Sequence, residues 1–237
     1  MTVALITGAS RGLGAALARA LAERGWQLVV DARGAEALER TAEEVRRATG
    51  AEVVAVPGDV ADPAHRADLV AAAGRLGRLD LLVNNASVLG PSPQPELGAY
   101  PLDVLEDVYR VNVLAPLGLV QAALPLLAVS GGRVLNVTSD AAVEAYEGWG
   151  GYGSSKAALE QVSAVLAAEH PGLRVWWVDP GDLRTELHQA AFPGEDISDR
   201  PLPETVVPGF LRLLDEDRPS GRYRAADLVP ATMGVGA

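Results

Sequence analysis

The chain has 237 residues, no cysteine and a formal net charge of −11. Disulfides and Cys-ligated zinc or iron–sulfur sites are therefore excluded, and an acidic surface repels nucleic-acid backbones. The absence of cysteine fits a reducing cytoplasm, the first residues are too short and glycine-rich for a signal-peptide core, and no apolar run is expected to reach the ~18–20 residues a bilayer span needs. The expectation is a cytoplasmic protein without membrane or nucleic-acid partners, its length suiting one domain over residues 1–237.

Short apolar runs alternate with helical stretches along the chain. Val3–Thr7 runs into glycines, after which Leu13, Leu17, Ala20 and Leu21 recur at helical spacing. Leu28–Val30 precedes a charged helix over Ala35–Ala48. Val53–Val56 precedes a helix opened by Asp62-Pro63, a strong start signal. Leu79–Val83 comes next, then a long helix over Leu102–Leu127 interrupted by Pro116 and Pro125. Val134–Thr138 leads to a helix over Ser154–Glu169, and Leu173–Val178 is the sixth run. Phe210–Leu214 reads as a short helix, Arg222–Ala225 as a last strand, and the tail from Val229 as frayed. Continuous apolar runs between amphipathic helices predict a parallel sheet covered on both faces. With right-handed crossovers this is a Rossmann-type doubly wound α/β fold of about seven strands. The Pro- and Gly-containing stretch at about 182–205 is expected to act as a substrate loop or lid.

The first strand meets Gly8-Ala9-Ser10-Arg11-Gly12-Leu13-Gly14, and a helix follows. Glycines there permit a tight turn, close approach to a pyrophosphate and close helix–sheet packing. The helix N-terminus offers free N–H groups to a phosphate. Taken alone, such a turn is moderate evidence for dinucleotide binding against a purely structural role. Its spacing is Gly-x-x-x-Gly-x-Gly behind Thr7, not the G-x-G-x-x-G fingerprint.

With this spacing the sequence resembles the short-chain dehydrogenase/reductase family, and further motifs follow in order over roughly residues 3–185. Asp59-Val60 resembles the pair that holds the adenine. Asn84-Asn85-Ala86 resembles the family's Asn-Asn-Ala-Gly, with Ser87 in place of the glycine. Asn112 lies where the family carries a catalytic-site asparagine, Ser139 follows the fifth run, and Tyr152-x-x-x-Lys156 begins thirteen residues later. Pro180-Gly181 ends the sixth run, and Thr185 sits where the family contacts the nicotinamide carboxamide. The resemblance implies Asn112, Ser139, Tyr152 and Lys156 as catalytic residues. It implies a cofactor site of Gly8, Ser10, Arg11, Gly12, Leu13, Gly14, Arg33, Asp59, Val60, Asn85, Ala86, Tyr152, Lys156, Pro180, Gly181 and Thr185.

Lys156 is the one lysine among 20 Lys and Arg. A compact ammonium and a planar guanidinium are not interchangeable, so a site below a phenol and beside a ribose selects Lys. Tyr152 and Lys156, four apart on a helix, share a face. The ammonium is expected to lower the phenol's pKa toward the working range of an acid/base. Ser139 then hydrogen-bonds the carbonyl oxygen, and Asn112 holds a relay water through a local helix irregularity. NADP(H) is favoured over NAD(H). Arg33 and Arg11 match places where NADP-using members carry cations, and Asp31, one residue earlier than the acid of NAD-using members, is expected to point elsewhere.

The expected activity is interconversion of a ketone or aldehyde and an alcohol. Segments Ser87–Tyr100, Ala141–Gly151 and Asp182–Pro203 are rich in Leu, Pro, Tyr and Trp, pointing to an apolar or aromatic substrate. Tyr146 and Trp149 are candidates for lining that pocket or for simple packing. Glu144 and Glu147 are read as solvent-exposed acids, and Trp176-Trp177 as altered packing or pocket shape. An epimerase or dehydratase on the same site, or a non-catalytic NAD(P)-sensing protein, are the alternatives. The resemblance implies a homodimer or homotetramer built on the 102–127 and 154–169 helices. His65, His170 and His188 fall in no motif and are read as surface residues, and no metal is expected.

Overall fold

The apolar runs form one sheet. In a computed structural model that describes residues 1–229, seven parallel strands lie in the order β3-β2-β1-β4-β5-β6-β7. These are β1 (Val3–Ile6), β2 (Gln27–Ala32), β3 (Val53–Pro57), β4 (Leu81–Asn84), β5 (Arg133–Val137), β6 (Arg174–Asp179) and β7 (Gly221–Arg224). The helices are α1 (Gly12–Glu23), α2 (Ala35–Thr49), α3 (Pro63–Arg75), α4 (Leu102–Tyr109), α5 (Ala115–Ser130), α6 (Gly150–Glu169), α7 (Glu186–Ala191), α8 (Val207–Asp215) and α9 (Ala225–Leu228). Most of the tail expected to fray lies outside the described residues.

Because side chains alternate across a strand, β1 sends Ala4 and Ile6 to one face and Val3 and Leu5 to the other. The first face packs with Leu17 and Leu21 of α1, Leu38 of α2 and Phe210 of α8. The second packs with Leu69 of α3, Leu119 and Leu127 of α5 and Leu166 of α6. This is the doubly wound arrangement. Chain order reverses at β1, which pairs with β2 on one side and β4 on the other. Such a switch point opens a crevice at the carboxyl ends of the strands, where the site lies.

Three elements differ from the sequence reading. The long helix is two helices joined by a π-turn over Arg110–Leu114. Pro116 has no N–H to give the Asn112 carbonyl, so the regular ladder is interrupted there. Next, α6 starts four residues ahead of Ser154 because packing overrides poor glycine propensity. A Cβ on Gly151 would sit 2.4 Å from the Tyr100 ring. Finally, Leu102–Ser130 is apolar and long enough to span a bilayer, contrary to the expectation that no run would be. Here Leu119, Val120, Ala123 and Leu127 of that stretch are buried against the sheet.

Trp176 is fully buried on the α1/α8 face, and its Nε1 donates to the Arg218 carbonyl at 3.0 Å. It is a core residue and shapes no pocket. Trp176→Ala is expected to cost about 3–5 kcal/mol in chemical denaturation. A loss below about 1 kcal/mol, the range of surface changes, would refute this placement.

Candidate active site

The glycine turn joins β1 to α1 at the crevice. Gly8 has φ +67°, and a Cβ on Gly14 would lie 2.4 Å from the Gly8 carbonyl oxygen and 2.6 Å from Asn85 Nδ2. Thr7 and Asn85 lock this turn to the loop after β4. Thr7 Oγ1 accepts from the backbone N–H groups of Asn85 and Ala86, both at 3.0 Å. Asn85 Nδ2 donates to the carbonyls of Thr7 (2.9 Å) and Gly8 (3.1 Å). Ser10 and Leu13 lie in the same turn, and Thr185 approaches it, its Cγ2 3.4 Å from where a Gly12 Cβ would stand.

Asp59 is exposed at the mouth and Val60 is buried beneath it. Arg66, which the sequence reading missed, donates from Nη1 to the Val60 carbonyl at 2.6 Å and seats this loop. Arg33 is exposed just beyond β2 and forms no ion pair among the described residues. Arg11 pairs instead with Glu186 of α7. Asp31 is buried, with Oδ1 3.6 Å from His65 Nε2. Burial, then the nearby Asp59 charge, raises the Asp31 pKa to about 7. His65 is correspondingly no surface residue: its ring lies against Gly58, and burial lowers its pKa. His188 is buried too, its ring tilted against Phe192 with centroids 4.9 Å apart. Both readings missed because a helix face turned inward is set by tertiary packing, and each imidazole falls on such a face.

Of the four expected catalytic residues, Tyr152 and Lys156 lie together on α6, Asn112 is tied to that helix through Ser155, and Ser139 opens the turn whose Ala141 packs on Tyr152. Tyr152 and Lys156 share the inner face of α6, with Lys156 Nζ 5.4 Å from the Tyr152 ring centroid. Lys156 Nζ donates to the Val137 carbonyl at 2.8 Å. Asn112, in the π-turn, accepts at Oδ1 from Ser87 Oγ (3.1 Å) and Val88 N (2.9 Å). Its Nδ2 donates to the Val88 carbonyl (2.9 Å) and to Ser155 Oγ (3.0 Å), tying the π-turn to α6. Ser139 follows β5, and its hydroxyl donates to Asp140 Oδ1 at 2.9 Å. Pro180-Gly181 follows β6, with Gly181 N donating to Asp179 Oδ1 at 2.9 Å.

Electrostatics around the phenol run against the simple expectation. Burial is the largest influence and pushes the Tyr152 pKa up, the charges of Asp140 and Asp179 add to it, and Ser87 opposes. Burial also lowers the Lys156 ammonium to about 8. Within the polypeptide, desolvation dominates the shifts of both groups.

Over this face lies α7. Its Leu187, Ala190 and Ala191 pack with Leu89, Ala141, Tyr152 and Trp149. The Trp149 ring meets Tyr152 edge-on at 5.9 Å and Phe192 at 6.0 Å. Tyr146 reaches Asp140 Oδ2 through its hydroxyl at 3.0 Å. The segment expected to form a lid is held here by Ser92 Oγ on the Ala190 carbonyl (2.7 Å) and Arg184 N on the Pro201 carbonyl (2.8 Å).

A glycine-turn crevice at the switch point of a parallel sheet, with Tyr and Lys one helical turn apart beside it, defines a dinucleotide-dependent oxidoreductase. The sequence matches the short chain dehydrogenase family over residues 2–196. It is 40% identical over 194 residues to the rhamnolipid-biosynthesis 3-oxoacyl-(acyl-carrier-protein) reductase of Pseudomonas aeruginosa, covering 78% of this chain and 74% of that protein. An alcohol dehydrogenase from the archaeon Thermococcus sibiricus, complexed with 5-hydroxy-NADP, superposes with a TM-score of 0.86 at 30% identity, covering 94% of this chain and 95% of that one. A short chain dehydrogenase from Escherichia coli CFT073 complexed with NADPH gives 0.88 at 32% identity, covering 94% and 96%. The chain belongs to the short-chain dehydrogenase/reductase family.

Proposed function

We propose that this protein reduces the carbonyl of a small apolar or aromatic molecule, or oxidises the matching alcohol, with NADP(H). The pairing of Tyr152 and Lys156 on one face of α6, beneath the aromatic and apolar side chains of Trp149, Leu89 and α7, supports the reading. NADP(H), when bound, supplies or accepts the hydride.

The residues present fit that group. The Gly8–Gly14 turn, with Ser10 and Leu13, admits a close backbone approach, and Asp59, Val60, Asn85 and Ala86 would hold the adenine and central part. Pro180, Gly181 and Thr185 would hold the nicotinamide end. Arg33 is the exposed cation nearest the end of β2, while Arg11 is shared with Glu186. Buried Asp31 is unavailable to a ribose hydroxyl. Arg33→Ala is expected to weaken NADPH binding about 10–100-fold and NADH binding little, the loss of one charge-assisted phosphate contact. Equal weakening of both, measured by tryptophan quenching, would remove the 2′-phosphate role.

Tyr152 holds the proton that is delivered to the carbonyl oxygen. A phenol whose pKa is raised stays protonated at neutral pH, the form that reduction needs. Lys156 presents its charge from below and is placed to contact the nicotinamide ribose. The Ser139 hydroxyl turns from Asp140 toward the substrate oxygen to stabilise developing negative charge. Asp140, Glu144 and Glu147, together with the net charge of −11, disfavour anionic substrates and an acidic carrier protein. The exposed apolar residues Leu102, Leu114 and Val165 on α4, the π-turn and α6 support a homo-oligomer built on those helices.

A panel of neutral, cationic and anionic carbonyls with NADPH and NADH in parallel tests the reading. Turnover with NADPH preferred is expected. Exchange of substrate stereochemistry or loss of water without net cofactor oxidation would point to an epimerase or dehydratase, and cofactor binding without any turnover to a sensor.

A further inference from the structure

We propose that Glu186 sets the strength of cofactor binding by competing with a phosphate of the dinucleotide for Arg11. The inference rests on the reading of the Gly8–Gly14 turn as the cofactor's seat.

Arg11 stands at the N-cap of α1, a helix of 12 residues that the glycine turn opens. This helix end attracts anions and carries none of its own. The cap makes no side-chain hydrogen bond, and the first turn holds no acidic residue. The free N–H groups and the positive end of the helix dipole therefore act in the same direction as the guanidinium.

The carboxylate that reaches Arg11 comes from α7. Arg11 Nη1 pairs with Oε2 of Glu186, which lies in the first turn of that helix. Thr185, the N-cap of α7, sets the approach. Its Oγ1 accepts from His188 N at 3.2 Å, and its Cγ2 stands 3.4 Å from where a Gly12 Cβ would be. One residue beyond Glu186, Leu187 packs on the cluster of Leu89, Ala141 and Tyr152. The ion pair thus joins the cofactor turn to the helix over the reacting face.

A phosphate brought to the turn meets a guanidinium whose donors are already engaged. It also meets the negative charge of the carboxylate beside it. Both effects oppose binding. The two side chains are 66% and 68% exposed, so water screens the pair and keeps it weak. Glu186 therefore lowers cofactor affinity without abolishing it.

The test measures Kd for NADPH and NADH by tryptophan quenching, without substrate. Glu186→Gln keeps the shape and removes the charge, and it is expected to tighten binding about 2–5-fold. Glu186→Ala should do the same. Tightening of NADPH alone places the contested phosphate at the 2′ position, and tightening of both cofactors places it in the pyrophosphate. The gain should vanish in an Arg11→Gln background and shrink at about 1 M NaCl. Unchanged affinity in Glu186→Gln, or an equal gain with and without Arg11, overturns the proposal. Weaker binding of both cofactors does so too, since the pair would then be holding the turn in its binding shape. A wild-type protein that binds neither cofactor would sink the reading of the turn itself, which the Glu186 variants alone cannot do.

Discussion

Tyr152→Phe is expected to lower turnover about 10²–10⁴-fold, the usual contribution of a positioned acid/base. NADPH affinity should change little, because the substitution removes one oxygen and leaves the buried ring in place. The ring packs edge-on against Trp149 and beside Leu89 and Ala141, none of which needs the hydroxyl. At neutral pH folded and unfolded chains both hold the phenol proton, so the raised pKa adds nothing to stability there, and the variant should stay within about 1 kcal/mol of the wild type, the worth of the hydrogen bond it loses to Ser87. The combination of lost rate, retained binding and retained stability marks a residue that touches the reacting atoms. Retained rate would require another proton donor on this face. Ser87, whose hydroxyl bonds the phenol, and Ser139 are the hydroxyls to check for that, and Ser87→Ala and Ser139→Ala in the same background would expose either.

The sheet was legible because β1 to β6 are short apolar runs set off by glycine, proline or acidic residues, whereas β7 is Gly-Arg-Tyr-Arg and carries no such run. The helices were legible where they are amphipathic. Legibility failed at α6, since Gly150, Gly151 and Gly153 argue against a helix in any local scale. Contact with Tyr100 and Ala141 decides the matter, and those residues are distant in sequence. It failed likewise at α7, six residues inside a loop-like segment, which is held by contacts to Leu89, Trp149 and Ser92.

The site was legible as a set of motif positions, which fall on the glycine turn, the π-turn, α6 and the ends of β5 and β6. Its electrostatics were not. Spacing alone puts an ammonium near a phenol, but it cannot show that both are buried deeply enough for desolvation to dominate their shifts. Nor could it show Asp179 and Asp140 close by, or the chain from Asn84 Nδ2 to Asn136 Oδ1 (2.8 Å) and from Asn136 Nδ2 to Ser163 Oγ (2.7 Å) under the crevice. A polar residue within an apolar strand, Asn136 in Val134–Val137, was the available signal for that chain.

Lys156 yields the second large effect, and its sign separates function from scaffolding. The ammonium is 2% exposed, and its pKa falls from 10.5 to about 8 by burial. Below pH 8 folded and unfolded chains both hold the proton, and folding bears the full cost of burying the charge. From about pH 8 to 10.5 the unfolded chain keeps a proton that the folded one has shed, so stability rises with pH across that window. Lys156→Met, of similar length, should remove the slope and be more stable than wild type at pH 7, by an amount on the order of a few kcal/mol. Turnover should nevertheless fall about 10²–10³-fold, as when one preorganised donor is lost. Lys156→Arg should also be slow, since a planar fork does not fit where one compact ammonium donates to the Val137 carbonyl. Denaturant midpoints across pH 6–10.5 beside single-turnover rates decide the point. A Lys156→Met protein that is less stable at pH 7 and keeps the wild-type pH slope would mean that the lysine braces α6 against β5 and that its charge was never the costly element.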